Sequence, residues 1–170
     1  MSTSHLRLNF YGRTIFTSFS HFFLFIDFYK KICYNIYRKV KGEKIIVKVI
    51  IAGGRDFDNY EYLSQTMNSL DILISEVVSG CARGADSLGE LWAKNNNIPV
   101  THFPADWHGG GKAAGMERNQ EMAEYGDYLV AFWDGKSRGT LDMINRMQQC
   151  GKHGKVVRYE SKTDNTLYPW

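Results

Sequence analysis

The chain is short of the residues that build disulfide frameworks, metal fingers or membrane spans, and each shortage removes a class of protein. Cysteine occurs three times, at Cys33, Cys81 and Cys150, an odd number with no C-x-x-C pair, so neither a disulfide scaffold nor a thiol-rich metal site is indicated. A reducing, cytoplasmic setting is therefore expected. The five histidines show no H-x-x-x-H or H-E-x-x-H spacing, and His102 and His108, on either side of a loop, are expected to be ordinary surface residues. No metal and no cofactor is expected. The longest aromatic-rich run, 14–28 (TIFTSFSHFFLFIDF), is broken by His21 and Asp27 and is shorter than the roughly 20 apolar residues of a spanning helix. Lys30 and Lys31 follow that run instead of preceding it, which is the wrong order for a secretory signal. No membrane partner is expected.

Excess positive charge is also missing where it would matter. The net charge of +3 conceals an uneven division: residues 1–46 hold 8 Lys/Arg and 2 Asp/Glu, whereas residues 47–170 hold 13 and 16. The larger part is slightly acidic, which speaks against a nucleic-acid backbone as its partner. Residues 1–46 lack Ala, Pro, Gln and Trp but hold 7 of the 10 Phe. A membrane anchor and an ordered helical extension are two readings of this stretch. A third is that natural translation begins at Val47, because Phe, Tyr, Ile, Lys and Asn are what A/T-rich DNA encodes. Lys41-Gly42-Glu43 back-translates to AAA GGA GAA, a ribosome-binding sequence of bacterial type, and Val47 suits a GTG start. A bacterial or phage origin follows.

What remains, 47–160 with a tail at 161–170, is large enough for one domain with a real core. The run 44–52 (KIIVKVIIA) is a buried strand that ends at Gly53. Asn59–Leu70 is expected to be a helix capped by Asp58, with Tyr60, Leu63, Met67 and Leu70 at helical spacing. Glu76–Ser79 is a second strand, and Asp86–Asn96 a helix with Leu88, Leu91 and Trp92 on one side. Pro99–Phe103 is a third strand, followed by a polar loop 104–114 and a helix at 115–125. Asp127–Trp133 is a buried strand, Thr140–Cys150 a helix with Leu141, Ile144 and Met147 in register, and Val156–Tyr159 closes the sheet. This alternation predicts an α/β, Rossmann-like doubly wound parallel sheet of about five strands with helices on both faces. Ligands of such sheets lie at the carboxyl ends of the strands, where strand order reverses.

Three strand-end loops are rich in glycine and hydroxyls. The first is Gly53-Gly54-Arg55-Asp56, whose glycines permit positive φ or a close ligand approach, and whose Arg55 offers a planar fork to a phosphate. The second is Ser79-Gly80-Cys81-Ala82-Arg83-Gly84-Ala85-Asp86, opening into a helix that Asp86 would cap. The third is Asp134-Gly135-Lys136-Ser137-Arg138-Gly139-Thr140. Neither the Walker loop nor G-x-G-x-x-G is present, so the cradle is of another type. Trp107 is a candidate for stacking on a base, whereas Trp133 ends a strand and belongs to the core. A nucleophilic Cys81 would need a base that the sequence does not display.

The ordered set GGRDF, SGCARGAD, ERNQEM and FWDGKSRGT, spanning about 47–158, resembles the YspA-type, cpYpsA-related branch of the SLOG superfamily. That superfamily includes the LOG phosphoribohydrolases, DprA/Smf proteins and nucleotide sensors. The resemblance implies a Rossmann-like fold, a nucleotide or nucleotide-derived ligand and a homodimer. Compared with LOG enzymes, Arg118-Asn119-Gln120-Glu121-Met122 looks like their R-K-x-x-M segment, which places Arg118 at an arginine important for hydrolysis. The segment 136–143 looks like G-G-x-G-T-x-x-E, keeping Gly139-Thr140 but setting Met143 at the catalytic carboxylate. A thioether cannot deprotonate or stabilise anything at an N-glycosidic bond, and Asp142, one residue away, projects about a third of a helical turn aside. Binding is favoured over catalysis. A sensor or sequestering domain is expected to use Gly53, Gly54, Arg55, Asp56, Ser79, Gly80, Arg83, Gly84, Asp86, Arg118, Asn119, Asp134, Gly135, Ser137, Gly139 and Thr140. The alternatives are a phosphoribohydrolase using Arg118 with Asp56, Asp86 or Asp134, and a single-stranded DNA binder. If translation starts at Val47, the intact mass of protein made from the native gene will lack residues 1–46; a product that retains Met1 would refute that start.

Overall fold

The computed structural model describes residues 6–10, 13–17 and 46–161, and the chain divides into two units, 1–45 and 46–170. In the first unit β1 (Leu6–Phe10) pairs antiparallel with β2 (Arg13–Thr17), in register from Leu6 opposite Thr17 to Phe10 opposite Arg13. Where it is described, then, this segment is extended and not helical; the rest of the expected extension lies outside the described residues. No helix among the described residues is long and apolar enough to cross a membrane.

The second unit runs β3 (Ile46–Gly53), α1 (Tyr60–Asn68), β4 (Leu73–Ser79), α2 (Ala85–Asn95), β5 (Val100–His102), a 3-10 turn at Gly111–Ala113, α3 (Ala114–Tyr125), β6 (Tyr128–Trp133), α4 (Arg138–Gln149) and β7 (His153–Arg158). All five strands are parallel, in the order β5-β4-β3-β6-β7. This is the expected doubly wound sheet. After β5 the chain crosses back over β3 through α3, so strand order reverses between β3 and β6.

Side-chain alternation along the central strands feeds two cores. Val49 and Ile51 of β3, Val77 of β4, and Val130 and Phe132 of β6 face α1 and α2, packing on Leu63, Met67, Trp92 and Ala93. Their neighbours Ile50, Ala52, Val78, Leu129 and Ala131 face α3 and α4, packing on Met122, Met143, Ile144 and Met147. A strand covered on both faces must be apolar at successive positions, which is why β3 and β6 read as unbroken hydrophobic runs.

Several local expectations are corrected. The cap of α1 is Asn59, whose carboxamide oxygen accepts from the Tyr62 N–H at 2.9 Å, not Asp58. Both are capping residue types, and only the chain path decides between neighbours. Leu91 and Leu141 face solvent, 45% and 39% exposed. The buried stripe of α2 is instead Ala85, Gly89, Trp92 and Ala93, because the helix lies so close to the sheet that a Cβ on Gly89 would stand 2.8 Å from Ile51 Cγ2. In α4 the stripe is Thr140, Met143, Ile144 and Met147. Part of the supposed loop 104–114 is the 3-10 turn that leads into α3. Trp133 is half-buried: its indole N–H donates to the Ser137 carbonyl at 3.1 Å, and the Arg158 guanidinium lies 4.1 Å from its ring centre.

At the end of β3 backbone meets backbone with no room for a side chain. A Cβ on Gly53 would stand 2.4 Å from the Phe132 carbonyl oxygen and 2.7 Å from Ala85 Cβ. Gly53→Ala is therefore expected to cost about 1–3 kcal/mol, typical of forcing atoms into packed space, as measured by urea denaturation with an unchanged m-value.

Candidate functional site

Glycines fuse the three loops into one platform. The Gly54 N–H donates to the Phe132 carbonyl at 3.1 Å, and the Gly54 carbonyl accepts from the Phe57 and Ala85 N–H groups, each at 3.3 Å. Gly84 has φ +81°, and a Cβ there would stand 2.1 Å from the Gly54 carbonyl oxygen. The sequence leaves open whether the Gly53-Gly54 pair serves positive φ or close approach; the structure decides for close approach, since neither residue has positive φ. On Gly54 a Cβ would collide with the Tyr159 hydroxyl, which donates to Asp56 at 2.7 Å.

Above this platform, at the switch point, is a cleft of 470 Å³, within the range of small-ligand sites. Its walls are Gly53, Gly54, Arg55 and Asp56 after β3, Asp86 at the start of α2, Arg118 and Asn119 on α3, and Ser137, Gly139 and Thr140 at the start of α4. A contiguous hollow of 340 Å³, sharing Arg55 and Arg118, takes in Gly80, Cys81 and Arg83. Ser79, Gly84, Asp134 and Gly135 line neither and shape the platform from behind. Asp134 Oδ1 accepts from the N–H groups of Lys136 and Ser137, at 2.9 and 2.7 Å, which turns the β6–α4 loop. Gly135, at φ +86°, lets Arg158 pass.

The start of α4 presents backbone donors. No side chain caps it, and among the described residues the N–H groups of Arg138, Gly139 and Thr140 meet no acceptor in the chain. Such a helix terminus concentrates positive potential from the backbone dipoles. Gly139 lines the cleft, and a Cβ there would have nothing within 4 Å.

Arg118 sits between the cleft and the hollow. Its Nε donates to Asn119 Oδ1 at 3.1 Å and its Nη1 to the Gly80 carbonyl. Asn119, nearly fully buried, donates from Nδ2 to Asp142 Oδ2 at 2.8 Å and to the Gly139 carbonyl at 3.2 Å. Arg146 holds the same Asp142 oxygen at 2.9 Å. The chain Arg118–Asn119–Asp142–Arg146 thus locks α3 to α4 and fixes the direction of the guanidinium.

Three carboxylates in the cleft differ in their state. Asp56 accepts from Ser161 and Tyr159, and these hydrogen bonds hold its carboxyl below the usual range. With both oxygens engaged it is a fixed anion and a poor base. Asp142, missed as a wall residue because it is one position off the motif, presents Oδ1 without a protein partner among the described residues. Asp86 is not the side-chain cap of α2, whose N-cap is Gly84. Its Oδ2 reaches back to the N–H groups of Gly80, at 3.1 Å, and Ala82, at 3.4 Å. Burial raises its pKa to about 6, against the opposing pull of Arg118 and these two N–H groups.

Met143 is 1% exposed in the floor of the cleft, at the position where the resemblance to LOG enzymes puts a catalytic glutamate. Trp107, 54% exposed, borders both spaces, and Met116 lies on the cleft wall. Met116 carries no sequence signal, since a methionine at a helix start is indistinguishable from one that packs. His102 is not isolated: it stands beside Glu90 and Cys81.

Residues 47–110 match the family described as YspA, cpYpsA-related SLOG. The match takes in the loops after β3 and β4 and stops short of Arg118 and the α4 loop. The chain is also 40% identical to the Gene 61 protein of Mycobacterium phage D29 over an 81-residue alignment, covering 44% of this chain and 65% of that protein. Among solved structures it is similar to DNA processing protein A (DprA) from Streptococcus pneumoniae, with TM-score 0.55 and 16% identity, over 69% of this chain and 52% of that one. The chain thus spans under two thirds of the phage protein and about half of the DprA chain, and the DprA likeness concerns the fold.

The raised pKa of Asp86 links stability to pH. Below its ordinary value of 3.8 the group is neutral whether the chain is folded or not. As pH rises toward 6 the unfolded chain loses the proton first, so the stability this group contributes when neutral is lost. Asp86→Asn keeps an acceptor for Gly80 and Ala82 and cannot ionise. Chemical denaturation from pH 4 to 7 should show the wild type losing up to about 3 kcal/mol relative to this variant; parallel curves would disprove the linkage.

Proposed function

We propose that this domain, of the YspA, cpYpsA-related SLOG type, binds a nucleotide or nucleotide derivative in the cleft between the ends of β3 and β6. The N–H groups at the start of α4, which meet no acceptor among the described residues and lie on the cleft wall with Arg118, carry this reading. They suit a phosphate, which accepts from several backbone donors at once. Arg55 and Arg138 add charge at the rim, while Asp86 and Asp142 supply acceptors for ribose hydroxyls or a base amino group. A cleft that mixes cations with carboxylates favours a small ligand bearing one anionic end. A continuous phosphate backbone would meet three acids. Trp107 is exposed at the mouth, where it can stack on a base.

Calorimetry with nucleoside mono-, di- and triphosphates, cyclic nucleotides and ADP-ribose derivatives tests the proposal; absence of binding across the panel would refute it. Gly139→Ala puts a methyl group into the space assigned to the ligand and should weaken binding at least tenfold, about 1.4 kcal/mol, with thermal stability unchanged. Arg118→Ala should abolish binding.

A hydrolase is the second reading, favoured by one observation: Asp86, titrating near 6 beside Arg118, is a carboxyl that can hold a proton close to neutrality. It replaces Asp56, whose oxygens accept from Tyr159 and Ser161, and Asp134, whose Oδ1 accepts from its own loop, as the candidate acid. Release of free base from a nucleoside monophosphate, lost in Asp86→Asn, would establish it. The likeness to a DNA-processing protein motivates a third test, a gel shift with single-stranded DNA across salt concentrations.

A further inference from the structure

Outside the cleft, one cluster brings together side chains of different chemistry from three elements. Cys81 Sγ, a carboxylate oxygen of Glu90 and a ring nitrogen of His102 all lie within 4.8 Å of one another. Cys81 is in the loop after β4, Glu90 on α2, and His102 at the end of β5. We infer that Cys81, Glu90 and His102 form a binding site for a divalent transition metal ion of the zinc type, with its fourth position open toward the Arg55–Arg83–Arg118 hollow.

Thiolate, imidazole and carboxylate together are a zinc donor set, with bonds of about 2.0–2.3 Å. A tetrahedron of such bonds spaces its ligand atoms about 3.3–3.7 Å apart. His102 Nε2 and Glu90 Oε2 stand 3.6 Å apart, an edge of that length and too long for a hydrogen bond. The Ser79 hydroxyl, buried, donates to Glu90 Oε1 at 2.5 Å and leaves Oε2 facing the cluster. It also accepts from the Cys81 N–H at 3.1 Å, so one hydroxyl orients two ligands. A second layer of this kind is characteristic of metal sites. Ser79 and His102 are paired across β4 and β5, and the Phe103 N–H donates to the Ser79 carbonyl at 2.8 Å, so the frame is rigid.

Cys81 also occupies backbone where glycine is favoured, at φ +58°. A non-glycine residue is strained there, and strain of this sort collects at functional positions. Binding exchanges the thiol proton, released to solvent, for the metal–sulfur bond, so affinity should rise with pH. Water, or an oxygen of a ligand phosphate in the hollow, would complete the coordination.

Cobalt(II) titration of the full-length protein under reducing conditions tests the site. One equivalent should produce a thiolate-to-cobalt charge-transfer band in the near ultraviolet, bleached by one equivalent of zinc. Cys81→Gly should abolish the band; glycine suits the local φ, so circular dichroism should show an intact fold. His102→Ala and Glu90→Gln should each weaken cobalt binding at least tenfold, and Ser79→Ala roughly tenfold through orientation of the ligands. Cys150→Ser should leave the band unchanged. Absence of the band, or a band that survives Cys81→Gly, would overturn the assignment. None of these readouts depends on nucleotide binding.

Discussion

The contact on which the rest of the domain depends is the near-touching of three backbone segments at the carboxyl end of the sheet. Gly53 meets the Phe132 carbonyl and Ala85, while Gly54 bonds to both β6 and the start of α2 and Gly84 turns back over it. No side chain fits between these segments. Their closeness sets how far β3 and β6 diverge, and so the width of the cleft, and aims α2 so that Asp86 lies beneath the second loop. Van der Waals exclusion, more than conformational freedom, makes glycine necessary at 53 and 54. Among the glycines of the three strand-end loops, positive φ adds its own demand at 84 and 135.

On that platform the polar groups fall into two sets. One is already satisfied: Asp56 by Tyr159 and Ser161, Asp134 by its own loop, and Asn119 by Arg118, Asp142 and Gly139. These groups hold geometry. The other set, on the cleft wall, has no partner among the described residues: the first N–H groups of α4 and the second oxygen of Asp142. A buried or half-buried polar group without a partner costs free energy, and a ligand that supplies the partner recovers it. The proposed binding role rests on this division between rigid support and unmatched donors. Asp86 belongs to both sets, anchored by one oxygen yet held near neutrality by burial.

Much of this was legible from local pattern. The unbroken apolar runs of β3 and β6 and the glycine-rich loops feeding helices require only neighbours along the chain to interpret. Patterns failed where the answer depended on distance to another element. Leu91 and Leu141 have helical spacing yet face water, because α2 turns its Ala85, Gly89, Trp92 and Ala93 face to the sheet and α4 its Thr140–Met147 stripe. Asp58 and Asn59 are equally good capping types, and chain direction chose the second. Asp134 looked like a ligand residue because it stands beside glycines, but its oxygen is turned inward to shape the loop.

The sequence by itself determined the order of strands and helices, the two-faced burial of the central strands and the positions of the three loops, since these follow from side-chain periodicity and backbone permission within a few residues. Only the tertiary structure decided which groups meet. Arg118 reaches Gly80 across 38 positions and Asn119 reaches Asp142 across 23, while Cys81, Glu90 and His102 converge without any spacing motif because β4, α2 and β5 are adjacent in space. Such meetings depend on strand order and helix placement, which the parallel crossovers settle and which no local window of residues contains.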